Sequence, residues 1–164
     1  MSEQPVSRGR AEVVVASNRA AAGVYDDETG PLIVAALQEL GFVCDDPVVV
    51  PDGPPVGEAI AAAVEGGARV VLTTGGTGLT PTDHTPEQTR PQLDREVPGI
   101  AEAIRSAGVA AGVPTAVLSR GLAGVAGSCL VVNLPGSRGG VKDALAVLRP
   151  VLVHAVEQVV GSDH

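Results

Sequence analysis

The sequence predicts a single-domain three-layer αβα fold with a mostly parallel, doubly wound sheet. Three observations lead there. Short apolar runs rich in β-branched residues alternate with longer stretches of helical period. The runs end in Gly, Pro, Asn or Asp, where a chain leaves a sheet edge. Hydrophobic residues make up 45% of the 164 residues, yet Phe42 and Tyr25 are the only aromatics, so Val, Ala, Leu and Ile must fill the core. That palette suits a parallel sheet covered on both faces by Ala-rich helices.

Taken in order, Glu12 to Ala16 reads as the first buried strand, delivering Ser17, Asn18 and Arg19 to the sheet edge. An Asp-rich loop follows from Gly23 to Gly30. Pro31 then opens a helix with Ile33, Val34, Leu37 and Leu40 on one face, and Gly41 is a suitable stop. Phe42 to Val50 is a strand region interrupted by Asp45-Asp46-Pro47, and it ends at Pro51-Asp52. A helix from Pro54 or Pro55 aligns Val56, Ile60, Ala63 and Val64 and ends at Gly66-Gly67. Arg69 to Thr73 is the central strand. A helix from Pro86 to about Leu93 follows, then one from Ile100 to Ala107 ended by Gly108. Within the glycine-punctuated segment from Ala111 to Gly127, Ala116 to Leu118 reads as a short strand that leaves Ser119-Arg120 in a loop. Cys129 to Val132 is the last buried strand, running into Asn133-Leu134-Pro135-Gly136-Ser137. Ser137 caps a helix from Arg138 carrying Val141, Leu145 and Leu148, and Pro150 starts the final one.

Composition excludes several function classes. A formal charge of −8 leaves no Lys/Arg cluster to displace phosphate counterions, so nucleic acid is not an expected partner. No run approaches the roughly 20 apolar residues of a membrane helix. The spacing of His84, His154 and His164 fits no zinc pattern. Cys44 and Cys129 lie in apolar, strand-like surroundings without a CxxC and read as buried free thiols, which suits a reducing, cytoplasmic setting. Residues 1–10 are polar and read as a disordered tail, with the domain over residues 11–160.

The chemistry concentrates in Thr74-Gly75-Gly76-Thr77-Gly78 and the residues after it. Glycines here allow positive φ and let an anion approach main-chain N–H groups. Thr85-Pro86-Glu87-Gln88 reads as an N-cap, a proline at the first helical position, an acidic first turn and a capping-box Gln. Asp83 stands just outside that start and is free to serve a ligand or metal. Asp52 ends another strand, and two carboxylates at one edge can share a Mg²⁺. Asp52 equally opens a turn with Gly53, and Arg19 reads as either a phosphate contact or a solvated loop cation. Gly136 and Ser137 begin a second segment whose N–H groups and helix N-terminus suit an anion.

Gly-Gly-Thr-Gly-Leu-Thr-Pro-x-Asp-x-Thr-Pro-Glu, residues 75 to 87, closely resembles the signature of the molybdenum-cofactor biosynthesis family that includes bacterial MogA and MoaB proteins and the G domain of gephyrin. Ser17-Asn18-Arg19, Gly23-Val24-Tyr25-Asp26-Asp27, Gly30-Pro31, Val50-Pro51-Asp52 and Asn133-Leu134-Pro135-Gly136-Ser137 extend the match, and Gly23 to Asp26 favours MogA. Thr82 departs from the Arg usual between the Pro and Asp of the motif.

The resemblance implies a molybdopterin adenylyltransferase that joins the AMP of Mg-ATP to the terminal phosphate of molybdopterin. Within it, Asp83 and Asp52 are the expected catalytic and Mg²⁺-binding residues. Ser17, Arg19, Thr74, Gly75, Gly76, Thr77, Gly78, Glu87, Ser119, Arg120, Asn133, Pro135, Gly136 and Ser137 are the expected substrate and nucleotide contacts. It also implies a homotrimer and hand-over of product to a molybdate-inserting, MoeA-like protein. A MoaB-like pterin binder with little transferase activity and a non-enzymatic scaffold of the gephyrin type are the alternatives.

Overall fold

The computed structural model describes residues 7–161. Strand β1 (Arg10–Ala16) ends at a one-turn helix α1 (Asn18–Ala21), and α2 (Thr29–Glu39) follows. The interrupted strand region resolves into β2 (Val43–Cys44) and β3 (Val48–Val50), both paired parallel to β1. Then come α3 (Pro54–Glu65), β4 (Val70–Thr74), α4 (Thr85–Thr89), β5 (Arg95–Glu96) and α5 (Pro98–Ala110). Strands β6 (Ala123–Ala126) and β7 (Cys129–Leu134) and helices α6 (Arg138–Leu148) and α7 (Leu152–Val159) complete the described chain.

The strands form one sheet in the order β2-β1-β4-β7-β6-β5, with β3 also on β1. The first half is parallel, whereas β6 runs antiparallel to both β7 and β5. The sheet is therefore mixed, and the α/β expectation holds with an antiparallel flank. Because β1, β3, β4 and β7 run the same way, Ser17, Asp52, Gly75 and Pro135 all emerge at one edge.

Alternation along the strands divides the core. Val13, Val15, Val70, Leu72, Leu130 and Val132 face α2, α5, α6 and α7, burying Ile33, Leu37, Ile104, Leu148 and Leu152. Val14, Val71 and Val131 face α3 through Val56, Ile60 and Ala63. The central β4 is buried along its whole length.

Several boundaries differ from the sequence reading. Arg10 already belongs to β1, and Arg8 N donates to Gly41 O at 3.1 Å, so order begins before residue 11; residues 1–6 of the expected tail lie outside the described residues. The helix expected from Pro86 to Leu93 is only α4 followed by a 3₁₀ turn over Arg90–Gln92, since Pro91 has no N–H to continue an α ladder. Thr85 is not the N-cap: His84 is, and Thr85 sits inside the first turn with its N–H donated to Gly76 O at 3.0 Å. Gly108 does not end α5 but lies within it, where a Cβ would strike Ala116 at 2.5 Å. The expected strand at Ala116 to Leu118 is part of a 3₁₀ segment, Pro114–Leu118, begun by its proline. Ser137 does cap α6, accepting from Gly140 N at 3.0 Å. Cys44 and Cys129 are buried free thiols, and burial pushes their pKa up to about 11 and about 12 respectively, so neither ionises near neutrality.

Candidate active site

Two glycine loops meet at the C-terminal edge of the parallel strands. Gly75 has φ +89° and a Cβ there would collide with Ala16 O, so only glycine fits. Gly75 N donates to Leu134 O at 3.3 Å, and Thr74 Oγ1 donates to Pro135 O at 2.7 Å, stapling the loop after β4 to the loop after β7. A Cβ on Gly136 would lie 3.1 Å from Gly75 Cα, so the two loops touch through glycines.

This contact forms a ridge between two clefts. The first, about 610 Å³, is lined by Ser17, Tyr25, Asp27, Thr29, Thr74, Gly75, Gly136 and Arg138. The second, about 680 Å³, is lined by Gly76, Thr77, Gly78, Asp83, Ser119, Pro135, Gly136 and Ser137, with apolar Ile104, Val113 and Leu118. Gly136 belongs to both. Such a pair of open clefts sharing a glycine ridge suits two ligands whose anionic ends meet on main-chain donors.

Asp83 lines the second cleft with its Oδ2 against Gly78, whereas Asp52 lines neither cleft and packs its Oδ1 against Gly76. Asp83 Oδ2 accepts from Thr80 N at 3.0 Å, which closes the turn from Thr80 to Asp83 and fixes the carboxyl, so Asp83 is anchored on one oxygen instead of wholly free. Asp52 N is held by Asn18 Oδ1 at 2.9 Å, while Asp52 Oδ1 is buried with no hydrogen-bond partner. Burial first, and then the charge of Asp83, raise the Asp52 pKa. A like-charged neighbour is a condition that a cation relieves, and two carboxylates are a donor set that suits Mg²⁺. Among the described residues no group of three or more His, Cys, Asp and Glu side chains is placed to hold a metal.

Some expected contacts have structural work instead. Asn133 is buried: its Nδ2 donates to Thr73 and Thr89 Oγ1 at 2.9 and 3.0 Å, and its Oδ1 accepts from Leu122 N at 3.0 Å. Both polar atoms of that amide are engaged inside the fold, and Asn133 lines neither cleft. Arg120 donates to Gly78 O, to Asp83 O and to the Glu87 carboxylate, and it lines neither cleft. Glu87 is thereby turned to Arg120, whose hydrogen bond holds its pKa below the ordinary carboxylate range. Arg19 is exposed on α1 and lines neither cleft. Ser17 caps α1 and pairs with Tyr25 OH at 3.0 Å in the first cleft. Ser119 lines the second and accepts Arg105 Nη1 on its carbonyl at 3.3 Å.

Sequence reasoning named Asn18 and Tyr25 only within the motif match, without a site role, and passed over Arg105 and Lys142. Lys142, the one lysine in the chain, lines the second cleft one turn into α6. Its rarity in an acidic chain, one turn beyond the Ser137 cap, was a usable signal.

A model of the family described as a probable molybdopterin binding domain matches residues 12–154. The chain belongs to this family. Within it, the molybdopterin adenylyltransferase of Helicobacter pylori strain J99 is 34% identical, with 92% of this chain and 87% of that protein covered. The molybdenum cofactor biosynthesis bifunctional protein of Chlorobaculum tepidum is 37% identical over 94% of this chain and 50% of its own length. The chain thus spans about half the length of such bifunctional relatives. The molybdopterin biosynthesis Mog protein of Mycobacterium ulcerans superposes with a TM-score of 0.87 at 54% identity, covering 92% of this chain and 98% of that one.

Proposed function

We propose that this protein is a molybdopterin adenylyltransferase, transferring AMP from Mg-ATP to the terminal phosphate of molybdopterin. The observation that carries the reading is the pair of clefts joined at the Gly75-Gly136 ridge, with Asp83 in the second cleft and Asp52 behind Gly76. An oxygen of the pterin phosphate attacks the α-phosphorus of ATP in line, a new P–O bond forms, the α–β bridge breaks and pyrophosphate departs. Two anions must be brought together for this, so alignment and charge neutralisation are the main tasks.

The main-chain donors of Gly76 to Gly78 and of Gly136 to Ser137 receive phosphate groups, and the N-terminus of α6 adds a partial positive charge. Lys142 and Arg138 bring side-chain cations to the second and first clefts respectively. Asp83 and Asp52 would hold Mg²⁺, and the ion would supply neutralisation of the polyphosphate. The exposed apolar side chains Val109 on α5, Val113 after it, and Val117 and Leu118 in the 3₁₀ segment support self-association, and a homotrimer is the state proposed from the family resemblance. No helix of the described residues is long and apolar enough to cross a membrane. Its product requires a consumer that inserts molybdate, such as a MoeA-like protein.

The test is incubation of the protein with molybdopterin, Mg²⁺ and ATP or GTP, with the pterin analysed by mass. Adenylylated pterin with ATP is expected. No product with either nucleotide moves the reading to pterin binding alone.

A further inference from the structure

Buried hydroxyls around the site are engaged almost throughout. Thr73 and Thr89 Oγ1 accept from Asn133, Thr89 Oγ1 donates to Thr85 O at 2.8 Å, and Thr74 Oγ1 donates to Pro135 O. Among the described residues two buried side-chain oxygens break this pattern, Asp52 Oδ1 and Thr85 Oγ1, and neither has a hydrogen-bond partner. They are not scattered. A Cβ built on Gly76 would collide with Thr85 Oγ1 and lie 2.9 Å from Asp52 Oδ1, so both oxygens abut the same glycine.

The two atoms are complementary. A carboxylate oxygen only accepts, and a threonine hydroxyl has a proton to give. Both are closed to solvent, so water outside the fold satisfies neither. The main chain on each side is fixed already: Asp52 N by Asn18 Oδ1, Thr85 N by Gly76 O, and Thr85 O by Thr89 Oγ1. What remains adjustable is rotation of the two side chains toward each other. A buried group left unpaired is costly, and two such groups against one glycine relieve each other.

We propose that Thr85 is a positioning residue for Asp52: its Oγ1–H donates to Asp52 Oδ1 past Gly76, fixing the carboxylate and leaving Oδ2 for ligand or cation. Gly76, with φ +69°, is then required for a second reason besides phosphate approach, since any side chain there separates the pair. Only the kinetic consequence of this contact rests on the adenylyl-transfer reading; the contact itself is a property of the fold.

A double-mutant cycle in urea denaturation of the full chain tests it, with Thr85→Val, Asp52→Ala and the two together. Thr85→Val is expected to weaken the folding equilibrium about tenfold in the wild-type background and to leave it within about twofold in the Asp52→Ala background, with Thr85→Ser close to wild type. Equal effects of Thr85→Val in both backgrounds, or a gain in stability from it, overturn the proposal. In the transfer assay Thr85→Val lowers kcat about tenfold with both KM values unchanged, and Thr85→Ser restores it. A change in KM alone overturns the positioning role. Absence of transferase activity in the wild type leaves the stability cycle to decide the contact independently. Should Thr85→Val not fold, an atomic-resolution crystal structure of the wild type decides: an Oγ1–Oδ1 separation of about 3.2 Å or less upholds the contact, and a longer one overturns it.

Discussion

Arg120 Nη1 donates to both carboxylate oxygens of Glu87, at 3.0 and 2.8 Å. The same side chain donates from Nε to Gly78 O and from Nη2 to Asp83 O, both at 2.9 Å, and its main-chain N donates to Thr77 O at 2.8 Å. One guanidinium thus clasps the motif loop at its glycine end, at Asp83 and at α4.

The ion pair itself is 36% and 50% exposed, so it contributes only about 0–1 kcal/mol to stability. The value of Arg120 lies in holding Asp83 in place. Arg120→Lys, whose ammonium cannot span the acceptors of a planar fork, is expected to lower kcat for AMP transfer about tenfold while the thermal midpoint falls by no more than about 3 °C. Steady-state kinetics beside a melting curve check this, and a large loss of stability with normal kcat contradicts it.

Asp52 gives a pH-dependent prediction. Its folded-state pKa is raised by burial and by Asp83, so the native state disfavours the charged form. The stability tied to this group is therefore present while it is protonated and lost as pH rises through the raised value. Asp52→Asn, permanently neutral, should melt higher than wild type at pH 7, with the gain shrinking as pH falls into the ordinary carboxylate range, and it should lose transferase activity. Melting curves of the two proteins across that range test the sign. A gain that grows toward acid contradicts it.

Much of this arrangement was legible in the sequence. The β-branched runs and their terminal Ser17, Asp52, Gly75 and Pro135 announced the parallel strands and the edge they share. The antiparallel β5 and β6 were not legible, because β5 has only two residues and β6, Ala-Gly-Val-Ala, takes its pairing from β7. The internal partners of Asn133 and Arg120 were not legible for a related reason. Residue type marks a polar side chain near a ligand loop, but only the partners on distant segments, Thr73 and Thr89 for one and Gly78, Asp83 and Glu87 for the other, decide whether it faces inward. Thr85 looked like a cap because Thr-Pro-Glu is a common helix start; its N–H bond to Gly76 O draws it one position into the helix.

Asn133 supplies a stability prediction with no ligand in it. Replacing it by Leu leaves Leu122 N unpaired and removes the donor to Thr73 and Thr89 in a buried region, a cost of about 2–4 kcal/mol. Urea denaturation measures that loss. Because Asn133 lines neither cleft, the KM values of the folded fraction should stay near wild type, and a rise in KM without loss of stability contradicts the assignment.

The central claim is that Asp83, anchored through Thr80 N and Arg120, serves AMP transfer beyond closing its own turn. Formation of adenylylated molybdopterin from Mg-ATP, followed by mass for wild type and Asp83→Asn side by side, tests it most directly. The account predicts product from the wild type and none from a variant that melts like the wild type and still binds the pterin. Undiminished turnover by Asp83→Asn would contradict it.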